Sequence, residues 1–185
     1  MSKNSTSRRL ALVAMLAIAI VVVPAVTSLP SGISGVKDTG CNCHGTETSS
    51  SVTASISGLP ETYNASETYA VTVSFSGGPS VDGNMNLGGF NLWASDGTFA
   101  TADDSTQLWG PAEASHSESG NDQRTWTLDW TAPENGANVD FVLHVNSVNG
   151  NEVMAVPAGT CGIGLMSQYS DSETLLFPTL TRSRY

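Results

Sequence analysis

Positive charge is scarce in this chain. Seven Lys and Arg stand against seventeen Asp and Glu, a formal net charge of −10. Nucleic acid and anionic membrane surfaces are held by Lys and Arg, so both are excluded as expected partners. Histidine is scarcer, with three in 185 residues, which leaves little for acid–base chemistry. The chain also lacks a Gly-x-Ser-x-Gly elbow, an HExxH helix, paired carboxylates on a defined scaffold and a phosphate-cradling Gly-rich loop. An electron carrier or a binding module is therefore expected in preference to an enzyme. Helical stripes are missing too, which removes a βαβ fold from consideration.

The long apolar run is single and N-terminal. Lys3, Arg8 and Arg9 precede Leu10 to Val23, and Pro24, Ala25, Thr27 and Ser28 come after it. Charged, apolar and small-residue regions in that order make residues 1–28 a signal peptide, cleaved after Ala25 or Ser28. A retained membrane anchor is the alternative, although the run is short for the ~20 apolar residues of a bilayer span. Either way the expected location is extracytoplasmic: secreted, periplasmic or cell-surface. Any contact with a membrane would come through this segment if it is not cleaved. Its removal takes three of seven basic residues and no acidic one, and 4 − 17 leaves −13. Such acidity suits solubility, or a protein partner with a basic face, in a redox or cell-surface complex.

Beyond the leader the chain is patterned for strands. Tyr69, Val71, Val73 and Phe75 fall on every second residue, as do Trp126, Leu128 and Trp130, and again Phe141, Leu143 and Val145. That is the period of a half-buried strand. Gly58-Leu59-Pro60, Gly77-Gly78-Pro79, Ser95-Asp96-Gly97 and Asn149-Gly150 break the runs. The pattern predicts an all-β, antiparallel immunoglobulin-like sandwich over 52–185, with about seven or eight strands. The alternating aromatic and aliphatic residues are its expected core. Residues 29–51 read as a loop, ordered only if its cysteines and His44 are tied down. The polar stretch from Thr101 to Gln123 reads as a long acidic loop carrying His116, and long connections are where function tends to sit.

The loop at 29–51 holds the chemistry. Cys41-Asn42-Cys43-His44 places a Cys-His pair just after an export signal. In c-type haem attachment a Cys sulfur bonds a vinyl group and the adjoining His binds iron, with the usual spacing C-x-x-C-H. Here the spacing is one residue shorter, which makes a double thioether strained. One thioether at Cys43, iron on His44, and a disulfide between Cys41 and Cys161 would account for all three cysteines. A cofactor-free disulfide from Cys41 or Cys43 to Cys161 is a second reading. A copper or zinc site is a third, since thiolate beside imidazole suits both metals.

Several stretches together resemble one family. Gly40-Cys41-Asn42-Cys43-His44-Gly45, Ile56-Ser57-Gly58-Leu59-Pro60, Tyr69-Ala70-Val71-Thr72-Val73, Gly88-Gly89-Phe90, His116 and Trp130-Thr131-Ala132-Pro133 look like the choice-of-anchor V domain, an exported β-sandwich similar to Reeler domains. The resemblance spans about Thr39 to Gly150. It implies a Reeler-like fold outside the cytoplasm, and it marks His116 as the expected second axial ligand of a haem iron. His144 and the methionines are the other candidates, with His144 read as a solvent-facing strand residue and the methionines as core filler. The resulting expectation is an exported single-haem electron-transfer protein. The alternative is a cell-surface binding or assembly module with structural cysteines.

Overall fold

The computed structural model describes residues 30–40 and 49–150, together with the backbone of the strand 160–170. The signal segment and Cys41, Cys43 and His44 lie outside the described residues. Ten strands alternate with turns: β1 (Val52–Ser57), β2 (Thr62–Tyr63), β3 (Thr68–Gly77), β4 (Gly88–Ala94), β5 (Thr98–Thr101), β6 (Thr106–Leu108), β7 (Glu113–His116), β8 (Thr125–Thr131), β9 (Val139–Ser147) and β10 (Thr160–Ser170). The one helical element among the described residues is a single 3-10 turn at Glu118–Gly120. Among those residues no helix is long and apolar enough to cross a membrane.

The strands form two sheets, ordered β1-β3-β8-β5 and β2-β10-β9-β4-β7-β6. Pairing is antiparallel except between β2 and β10. The alternation in the sequence sets the register. Tyr69, Val71 and Val73 oppose Trp130, Leu128 and Trp126, while Phe90, Leu92 and Ala94 oppose Val145, Leu143 and Phe141. These rows face each other across the sandwich. Trp130 meets Phe141 edge-on, with centroids 5.0 Å apart at 74°, and Phe90 meets Trp126 at 4.9 Å. Trp126, Trp130, Tyr63, Phe141, Leu92, Leu128 and Leu143 are all fully buried. Each such side chain contributes about 1.5–3 kcal/mol through its removal from water. Tyr69, at the margin of the core, is only partly buried.

Two local expectations are corrected here. The stretch from Thr101 to Gln123 is not one long loop, because it contains β6 and β7, paired with each other and with β4. Ala114 turns into the core while Glu113 and Ser115 turn outward, so the strand carries little apolar alternation to betray it. The second correction concerns strand number: ten, with β2, β5, β6 and β7 each four residues or shorter.

The outward face of the six-stranded sheet is covered. Trp93 and Glu113 are register partners there, as are Asn91 and Ser115, and Asn91 and His144. Residues 30–40 lie across them, and it is the polarity of this covering strap that lets polar strand residues be buried.

Candidate functional site

The strap is fastened to the sheet by side chains on three neighbouring strands. Asn91 Nδ2 donates to Ile33 O at 2.8 Å and to Glu113 Oε1 at 2.7 Å, and Gly35 N–H donates to the same carboxylate oxygen at 2.7 Å. Gln107 Nε2 donates to Ser31 O. Val36 is buried, and the Lys37 ammonium lies over the Trp93 ring, 4.7 Å from its centroid, a cation–π contact. Order in this segment thus comes from the sheet's own polar side chains. Whether the cysteines and His44 tie down the rest of the 29–51 loop concerns residues outside those described.

The strap ends at His144. Gly40 N–H and Thr39 N–H both donate to Val36 O, at 2.8 and 3.1 Å, closing a turn that Gly40 completes at φ +63°, the left-handed region glycine enters at little cost. The turn seats Gly40 on the imidazole: a Cβ built there would lie 3.4 Å from His144 Cε1 and 3.6 Å from Nδ1. His144 is only 6% exposed, so the expectation of a solvent-facing residue is overturned; the strap, 107 residues earlier in the chain, covers it.

His144 meets the strap through one ring nitrogen. Its Nε2 stands 3.2 Å from Lys37 O, and a carbonyl can only accept, so Nε2 carries a hydrogen in this contact. Its Nδ1 is buried, with no hydrogen-bond partner among the described residues. Two amide oxygens on the same face, Asn91 Oδ1 and Asn146 Oδ1, are likewise buried and unpartnered. A buried acceptor without a partner is costly, of order 1–3 kcal/mol.

His116 ends β7 at the other side of β4. Its ring occupies the space a side chain at Gly89 would need, since a Cβ there would fall 2.7 Å from Nδ1 and 2.8 Å from Nε2. Phe90 and Trp126 flank it, each with centroids 6.4 Å away. Nδ1 faces the Phe90 N–H at 3.2 Å and the Phe90 carbonyl at 3.3 Å, so either neutral tautomer is satisfied. With Nδ1–H donating to the carbonyl, Nε2 presents a lone pair. Burial holds the His116 pKa below the usual histidine value, partly opposed by the Phe90 backbone hydrogen bond, so the ring is neutral near pH 7, the form that binds metals.

The two histidines therefore flank β4 at Gly89 and Asn91, and the strap brings the residue before Cys41 to the second of them. Cys161, on β10, is registered opposite Asn146, two places along β9 from His144. Among the described residues no group of three or more His, Cys, Asp or Glu could hold a metal ion; the thiolates and imidazole of the Cys-x-Cys-His stretch lie outside them. His144 is the residue that sequence reasoning undervalues. Its signal is faint: a polar residue at an outward position of a strand, like any exposed one.

No protein-family model matches the chain, and no curated protein matches it. Among solved structures it is similar to the Reelin-N domain of F-spondin, at 21% identity over 67% of this chain and 88% of that one, TM-score 0.43. The reeler domain of human F-spondin is another, at 19% identity over 66% and 91%, TM-score 0.41. The likeness is to the Reeler β-sandwich as a fold, and the functional reading comes from the residues of the site.

Proposed function

We propose that this chain is an exported electron-transfer protein whose metal centre is held by Cys43 and His44. The observation that supports the reading is the seating of Gly40 against His144, which brings the residue before Cys41 onto β9, while His116 stands across β4 against Phe90 and Trp126. In the haem c form Cys43 would be the tether, and His44 with Nε2 of His116 would hold the iron. Such a haem would supply one-electron exchange with a partner. The residues fit in two respects: His116 can hold its Nδ1 hydrogen on the Phe90 carbonyl, the hydrogen bond that metal-bound histidines usually make, and Gly89 keeps its ring unobstructed. Cys41 would pair with Cys161, whose register position beside Asn146 supports the bridge.

A single copper or zinc ion is the second reading of the centre, zinc serving a structural role because it has no redox chemistry; the Nδ1 of His144, unpartnered among the described residues, supports it. Export rests on residues 1–28 and on the resemblance to choice-of-anchor V domains. With a net charge of −13 once the leader is removed (4 − 17), the redox partner would present basic residues, and association would slow with salt. The test is expression of the full precursor in a host that matures c-type haem. A Soret band that stays with the polypeptide through acid–acetone extraction, and is lost in Cys43→Ser, is expected for the haem form. A colourless protein with the mass of its polypeptide alone would exclude haem, and one that also binds no ion would leave a cell-surface binding module.

A further inference from the structure

We propose that the polar sheet face beneath the strap is a binding groove for a peptide segment of a partner protein, one with the pattern Gly-x-x-Gly-aliphatic-Lys or -Arg, and that residues 31–37 occupy it in cis as a plug. The inference stands apart from the metal-centre reading. It is carried by what the sheet grips. Gln107 Nε2 donates to Ser31 O, Asn91 Nδ2 to Ile33 O and His144 Nε2 to Lys37 O, while Glu113 Oε1 accepts from Gly35 N–H. Each bond joins a sheet side chain to the strap's main chain, at residues 31, 33, 35 and 37, and the side chains stand on β6, β4, β9 and β7. The strap thus crosses neighbouring strands of one sheet and adds no strand to its edge. Main-chain groups are offered by any peptide, so such bonds supply affinity while side-chain subsites supply selection.

Three subsites select. Gly32, at φ +74°, lies so close on Ser115 that a Cβ there would clash with the hydroxyl, so this position takes glycine. Val36 is the one buried residue of the strap. Lys37 holds its ammonium 4.7 Å from the Trp93 ring centroid, and Trp93 is the register partner of Glu113, so a cation finds an aromatic face with a carboxylate on the next strand. Seventeen acidic residues against seven basic ones favour the approach of a basic segment in the same way. Slight burial lets the plug leave. With Ile33, Ser34, Gly35, Asp38 and Thr39 exposed, the strap removes little apolar surface from water, which places it among the parts of a fold that open while the core stays closed. Beneath it Asn91, Ser115 and His144 are 3, 0 and 6% exposed, polar side chains that another main chain can bind once the strap is off.

The experiment uses the mature full-length chain carrying Gly35→Pro, which removes the N–H bonded to Glu113 and cannot adopt φ +73°. Every groove residue stays native. Lys37→Glu in the chain is a second releasing variant, for the case that the first folds poorly. The probe is a fluorescent peptide of residues 30–40 in native sequence, followed by anisotropy and by the NMR shifts of the Trp93 indole and the Asn91 and Gln107 side-chain amides. It should bind either variant at one site and move those resonances. Wild-type chain should bind it about tenfold or more weakly, because a groove open for a tenth of the time shows a tenth of its affinity. Against the released chain, peptides with Lys37→Glu or Gly32→Val should lose about tenfold or more, and Lys37→Arg should bind as the native peptide does. No binding to the released chains, equal binding by the Lys37→Glu peptide, or shifts confined to other residues would overturn the inference. A wild-type dimer in which residues 31–37 dock only on the other copy would overturn it too, since the segment would then be an assembly element. Haem or metal uptake bears on the metal-centre reading alone.

Discussion

Gly40 rests on the imidazole of His144, with the space for its absent Cβ 3.4 Å from Cε1. This contact joins the end of an N-terminal strap to the middle of β9, and it brings the residue before Cys41 to a buried imidazole. A built Cβ there is in ordinary van der Waals contact, so what protects the position is the backbone, at φ +63°. Gly40→Val should therefore cost about 1–3 kcal/mol through left-handed strain in a β-branched residue, and Gly40→Ala about 1 kcal/mol or slightly more. Urea unfolding of the two variants measures the order; equal stabilities would show that the turn is not held as described.

Gly89 and His116 should be coupled. A Cβ at Gly89 would lie 2.7 Å from His116 Nδ1, closer than real contacts allow, so Gly89→Ala must push the ring aside. The overpacking cost is about 1–3 kcal/mol. In a His116→Ala background the same substitution finds the space empty and should cost much less. A double-mutant cycle in thermal or denaturant unfolding is expected to give an interaction energy above about 0.5 kcal/mol, the threshold for residues in contact; additivity would place the ring elsewhere.

Between about pH 5 and 8, His116 is expected to make the stability depend on pH. Burial lowers its pKa in the folded chain, whereas the unfolded value stays near about 6.5. Between the two values the unfolded chain binds more protons, so stability rises with pH there. The contribution is complete above about pH 6.5 and is lost as pH falls through the folded value, with a slope of at most about 1.4 kcal/mol per pH unit. His116→Gln should flatten this part of the curve. The comparison belongs between about pH 5 and 8, above the range where carboxylates titrate, and parallel curves for the two proteins would count against a buried neutral ring.

Much of the sandwich is legible in the sequence because its core strands alternate strictly. Val71, Val73 and Phe75, and Trp126, Leu128 and Trp130, turn inward as their period of two requires. β7 is hidden for a physical reason. Of its four residues only Ala114 faces the core as an apolar side chain, while Glu113 and Ser115 face a polar strap, so no contrast between faces is written in the composition. His144 is misread by the same route, for its cover comes from Lys37 and Gly40, far earlier in the chain. Local patterns report which face of a strand is apolar, and are silent on what a distant loop lays over the other face.

Glu113 should control the strap without controlling the sandwich. Its Oε1 accepts from both Gly35 N–H and Asn91 Nδ2 at 2.7 Å, hydrogen bonds to a charged group, worth about 1.5–3 kcal/mol where sheltered and less where water competes. Neither donor belongs to the interior: the core rows lie on the sheet's opposite face. Glu113→Ala should thus release residues 30–40 while the cooperative unfolding of the sandwich moves little. Glu113→Gln keeps an oxygen in place, loses only the charge, and should restore most of the docking. Native-state hydrogen exchange reads the difference directly. The amides of Gly35, Thr39 and Gly40, and the β9 amides around His144, should exchange faster in the Ala variant by about tenfold or more, with β3 and β8 unaffected. Uniform acceleration across β3, β8 and β9 would mean that strap and sandwich open as one unit, and that Glu113 holds the whole fold together.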